Sequence, residues 1–113
     1  MQELNELDSK WIAVKAMLQE RFGKIPDMEG IIYLIGINEV GFDESYVFKK
    51  EEKQDLMHVA TCTLLSFDGY YKFTQHDADG WPHFEKQMDF PGVTLKEQDD
   101  YMKEKIIQYF EID

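Results

Sequence analysis

Apolar residues recur at alternating steps of three and four near the start of the chain. Leu4, Leu7, Trp11, Val14 and Leu18 follow the spacing of one helix face, and Ile12 and Met17 widen the stripe. Glu3, Glu6 and Asp8 stand near its beginning and Lys15 and Arg21 toward its end, each where its charge suits the helix dipole. Gly23 offers a left-handed stop, so a helix is expected over residues 2–22. The seam is short for a coiled coil, and packing on the domain core is the expected use.

Residues 24–41 carry two competing signals. Ile31-Ile32-Tyr33-Leu34-Ile35 has the content of a buried strand. Pro26-Asp27 is a helix start and Gly41 a helix stop. As a helix the segment is apolar nearly all round and so buried, with Gly30 and Gly36 allowing close helix approach. Helix is the favoured assignment and strand the alternative.

Residues 42–48 form an aromatic-rich connection expected to lie over the core. A helical pattern then runs from about Lys49 through Phe67, and Asp68-Gly69 ends it with turn chemistry. Leu56, Met57, Val59, Ala60, Leu64 and Phe67 make up the expected core face. Tyr70 to Thr74 and Trp81 to Glu85 read as two strands joined by a turn at Asp77-Ala78-Asp79-Gly80, with Pro82 suited to a sheet edge. Such a hairpin is marginal alone and must pack on something. Thr94-Leu95-Lys96-Glu97 matches a capping box opening a last helix, with Leu95, Met102, Ile106, Tyr109 and Phe110 as its apolar face. The fold class predicted is mainly α, with α+β as the alternative: about four helices and a small hairpin before the last, in a single globular domain over residues 1–113.

Composition narrows the functions. The net charge is −11, with 12 acids and 7 bases in residues 1–56 and 11 acids and 5 bases in residues 57–113. The excess is spread along the chain, so neither nucleic acid nor an anionic membrane surface is an expected partner. Lys49, Lys50 and Lys53 are offset by Glu51, Glu52 and Asp55. The one cysteine cannot form an intrachain disulfide, which suits a reducing compartment. The N-terminus lacks a signal pattern and the apolar run Ile31 to Ile37 is too short to span a bilayer. A cytoplasmic protein is expected.

Two constellations carry candidate chemistry. Glu51, Asp55, His58 and Cys62 fall on one line of the central helix, at intervals that stack side chains. Carboxylate, imidazole and thiolate are competent metal ligands, and Asp55-x-x-His58 resembles the carboxylate-x-x-His pairing of metal sites in helical bundles. No second such motif occurs in the sequence. Dipole stabilisation by the two acids and a small apolar role for Cys62 explain the same residues without a metal. His58 one turn before Cys62 also raises the question of an activated thiol. Asp77-Ala78-Asp79-Gly80 touches the start of a calcium loop, but Gln75 and Lys86 stand where further acids belong, so a plain turn is expected.

The other constellation is aromatic. Tyr70, Tyr71, Phe73, Trp81 and Phe84 crowd into the hairpin, and alternation places Tyr70 and Tyr71 on opposite faces. Aromatics on both faces point to a contact beyond the fold itself, with Tyr70, Tyr71, Phe73 and Trp81 as interface candidates.

The segments Lys50 to Cys62 and Asp79-Gly80-Trp81-Pro82-His83 resemble those of a group of small, acidic bacterial proteins with no known activity. The resemblance runs from about Pro26 onward; it implies a bacterial, cytosolic protein and no site. The leading expectation is a non-enzymatic protein-interaction module, with self-association or another protein as partner, acting as a homo-oligomer such as a homodimer and needing no cofactor. The alternatives are a metal-binding protein or metal-dependent enzyme holding a transition metal on the stripe, and a small-molecule binder.

Overall fold

A computed structural model describes residues 5–41 and 46–110. Among these residues the order is four helices with a two-stranded antiparallel hairpin between the third and fourth, a mainly α architecture with a little β. The chain divides into two compact units, Met1–Pro26 with Pro91–Asp113, and Asp27–Phe90.

The first unit pairs α1 (Glu6–Phe22) with α4 (Leu95–Tyr109). The Asn5 side chain caps α1 by accepting from the Asp8 amide at 2.7 Å. At the other end Gly23, at φ +80°, donates its N–H to Gln19 O. Thr94 caps α4 by accepting from the Glu97 amide at 3.0 Å. The reciprocal half of the capping box shifts by one residue, because the Glu97 carboxylate accepts from the Val93 amide at 3.3 Å. Val14, Leu18, Ile106 and Ile107 are buried. Two positions assigned to the apolar faces lie outside them: Ile12 is 48% and Leu95 84% exposed. Leu95 is the first residue of its helix, where the side-chain stripe has not yet formed. Lys105, which sequence periodicity did not single out, is buried. Its ammonium donates to Gln108 Oε1 at 3.2 Å and stands 5.3 Å from the centre of the Tyr101 ring.

The second unit resolves the ambiguous segment as a helix. α2 spans Met28–Val40. The Asp27 carboxylate accepts from the Gly30 amide at 2.8 Å, and Gly41, at φ +84°, closes the other end onto Ile37 O. Capped ends at helical distance outweigh the β preference of four β-branched and aromatic residues, since that preference reflects packing more than backbone conformation. The connection that follows lies in part outside the described residues (Phe42 to Ser45). Its remaining rings do pack: Phe48 lies edge-on to Tyr33 at 6.0 Å and to Tyr46 at 4.7 Å.

α3 spans Lys50–Ser66. Glu52 reaches back to accept from the Lys49 amide at 3.0 Å, and the Tyr46 hydroxyl donates to the same carboxylate at 2.8 Å. Both bonds hold the Glu52 carboxyl below its ordinary range, the backbone bond more than the tyrosine. Leu56, Val59, Ala60 and Leu64 are buried as their spacing predicts, and Cys62 and Thr63 join them. Met57 is half-buried and Phe67 lies exposed just past the helix. The buried set is broader than one stripe because α3 meets α2 and also the hairpin.

α2 and α3 meet at Gly36. A Cβ built there would stand 2.2 Å from Leu56 O and 2.7 Å from Leu56 C. Those atoms are backbone, so α3 would have to move as a body to admit a methyl group. Glycine to alanine inside a helix otherwise stabilises by about 0.5–1 kcal/mol, whereas forced overpacking costs about 1–3 kcal/mol or more. Gly36→Ala is therefore expected to destabilise the protein by about 2 kcal/mol, read from the urea midpoint at unchanged slope. An unchanged or raised midpoint would show that the helices do not touch there.

Candidate functional site

The two candidate constellations lie in the second unit. On α3, Glu51, Asp55 and His58 are exposed, while Cys62 is 1% exposed. The line therefore runs from solvent into the core and is not a continuous surface stripe. One contact forms along the line: Cys62 Sγ lies 3.5 Å from His58 Nε2. Among the described residues no three His, Cys, Asp or Glu side chains converge to hold a metal ion. Glu51 stands in the first turn of the helix, where its charge favours the dipole, and Asp55 lies beyond it.

The His58 contact does not activate the thiol. Burial pushes the Cys62 thiol up to about 11, since loss of water disfavours the thiolate. A nucleophilic cysteine requires the opposite shift.

The hairpin has a sharper geometry. β1 (Tyr71–His76) pairs with β2 (Pro82–Lys86) in the register Tyr71 with Lys86, Lys72 with Glu85, Phe73 with Phe84, Gln75 with His83 and His76 with Pro82. Thr74 is the extra residue of a bulge, and its hydroxyl donates to His83 O at 3.1 Å. The bulge brings His76 to the face occupied by Phe73, and the two rings lie 5.0 Å apart. That face carries Tyr71, Phe73, His76, Pro82, Phe84 and Lys86, with Phe73 and Phe84 edge-on at 5.9 Å. The opposite face carries Lys72, Gln75, His83 and Glu85, all exposed.

Asp77 organises the tip. Its Oδ1 accepts from the amides of Asp79 at 2.9 Å and Trp81 at 3.0 Å, and its Oδ2 lies 3.0 Å from His83 Nε2. Its backbone N–H donates to Trp81 O, its carbonyl accepts from Gly80, and Gly80 sits at φ +87°. The His83 contact, then the Trp81 amide, hold the Asp77 carboxyl below its ordinary range. The acid that resembled a calcium ligand thus has its oxygens directed at the turn itself. An aspartate three residues before a glycine marks this turn in the sequence. Its bond to a histidine six residues on depends on hairpin register and leaves no such mark.

Of the four interface candidates, Tyr71 and Phe73 share the aromatic face. Tyr70 precedes β1 and packs edge-on against Phe90 at 5.5 Å, and Trp81 belongs to the turn. Phe73 is 45% exposed. Phe67, expected on the core face of α3, is instead 37% exposed, and Met88, which sequence patterning did not assign, is 49% exposed. Met88 reaches Gly69, as a Cβ at Gly69 would lie 3.9 Å from its methyl group, and its amide points to Tyr70 O at 3.5 Å.

No family model, curated protein or solved structure matches this chain. Among the described residues no helix is long and apolar enough to cross a membrane.

The buried thiol makes a measurable claim. Its raised folded value favours the protonated form, so the associated stability is full below pH 9 and is lost as pH rises toward about 11. Cys62 is expected to resist iodoacetamide in the folded protein at neutral pH and to react once urea unfolds it. Rapid native-state alkylation, followed by mass spectrometry, would contradict this placement.

Proposed function

We propose that this chain is a non-enzymatic protein-interaction module that associates with a second copy of itself through the hairpin. The observation that carries this reading is the set of exposed apolar side chains Phe67, Phe73 and Met88 around a two-stranded sheet. Fully burying one such side chain contributes about 1.5–3 kcal/mol. At their present exposures each has roughly 1 kcal/mol still to gain, and a two-fold contact counts each of them twice. The chemistry of the α3 line supports the same reading by default, with its thiol buried and its acids facing solvent.

Sedimentation velocity over a concentration series tests it. A concentration-dependent shift from monomer to dimer is expected. Phe73→Ser, which removes the ring from both copies, should weaken the association about thirtyfold, the equivalent of roughly 2 kcal/mol. A wild-type protein that stays monomeric up to its solubility limit would overturn the proposal.

A further inference from the structure

We propose that the outer edge of β1 is where two copies join, the two β1 strands pairing antiparallel about a two-fold axis to make a four-stranded sheet. This rests on the self-association reading and assigns it a surface.

The edge follows from the ladder. In an antiparallel pair, residues facing each other alternate between pairs that exchange hydrogen bonds and pairs whose N–H and C=O groups point away. Gln87 N–H donates to Tyr70 O at 2.9 Å and Asp77 N–H to Trp81 O at 2.9 Å, one bond at each end of the hairpin. Counting inward from both ends, the pairs of Lys72 with Glu85 and Gln75 with His83 are the bonded ones. Tyr71, Phe73 and His76 therefore turn their main-chain groups outward from β1. Pro82, Phe84 and Lys86 turn theirs outward from β2. Among the described residues, no main-chain hydrogen bond joins Tyr71, Phe73 or His76 to any segment other than β2.

The two edges are unlike. Native sheets protect exposed edges with proline, lysine or both. β2 has both on its outward positions: Pro82 supplies no N–H, and Lys86 brings a charge, ion-paired with Asp89. β1 has two aromatic residues and a histidine there. Joining β1 to β1 leaves β2 on both margins of the resulting sheet, so both open edges close and only the protected edge faces solvent. A closed two-fold pairing of this kind needs no further copy.

Charge selects the same strand. In a chain of net charge −11, two copies repel one another over most of their surface. The stretch Gly69 to His76 contains no acid, so repulsion between acidic copies is least where β1 meets β1; its one lysine, Lys72, meets its own copy there but stands opposite Glu85 of β2, which offsets its charge. The bulge at Thr74 interrupts the outward row, which places the new ladder on Tyr71 and Phe73.

Amide hydrogen exchange followed by NMR reads this directly. Outward amides gain nothing from the hairpin itself, so those of Tyr71 and Phe73 are expected to exchange rapidly in dilute monomer. They should slow at least tenfold as dimer forms, while those of Phe84 and Lys86 stay fast. Disulfide trapping gives a second test. In that register Lys72 faces its own copy and Tyr71 faces Phe73, so Lys72→Cys alone, or Tyr71→Cys mixed with Phe73→Cys, should cross-link two copies under mild oxidation, and Phe84→Cys and Lys86→Cys should not; native Cys62 is buried. A dimer in sedimentation whose Tyr71 and Phe73 amides stay fast, or that cross-links through β2, would overturn the edge assignment and leave self-association standing. A protein that never dimerises would overturn both.

Discussion

The approach of α2 to α3 at Gly36 is the constraint on which the second unit depends. A missing side chain lets the backbone of one helix reach the other, with Leu56 O only 2.2 Å from where a Cβ would stand. Ile31 and Ile35 of α2 and Leu56, Val59 and Ala60 of α3 are all buried. Interiors at crystal-like density do not admit an added methyl group without movement of a whole element. The position of α3 therefore follows from one residue of α2.

The hairpin inherits its place from α3. A turn through Asp68 and Gly69 returns the chain, with the Tyr70 amide donating to Leu65 O at 3.2 Å. From that anchor the register is set at both ends: Tyr70 receives Gln87 at the base, and Asp77 gathers three donors at the tip. The bulge at Thr74 reconciles the two ends and collects the rings on one face. A proline would break a bonded pair, but Pro82 falls opposite His76, at a position whose N–H would face away from the ladder. Sequence, register and edge character are in this way one arrangement.

The sequence exposed most of the local structure and little of the chemistry. Caps at Asp27, Thr94, Gly23 and Gly41 act between neighbours in the chain, so the helices were legible, including the segment whose composition suited a strand. The hairpin was legible from its turn residues and Pro82. The line through Glu51, Asp55, His58 and Cys62 follows from helical geometry, but its burial does not. α3 packs against both α2 and the hairpin, and which of its side chains those contacts bury is not encoded in any local pattern. The expectation of aromatics on both hairpin faces failed to anticipate the bulge and the pairing of Tyr70 with Phe90. The exposure of Phe67 and Met88 is set by tertiary packing and leaves no mark in the local sequence.

If the α2–α3 contact is the foundation of this unit, its amides must be the last to open. Native-state hydrogen exchange in low concentrations of urea ranks the segments by their opening free energies. The account predicts that amides around Ile35 to Ile37 and Val59 to Ala60 exchange only through global unfolding, while the hairpin opens at lower free energy. A hairpin that outlasts α2 and α3 would contradict it.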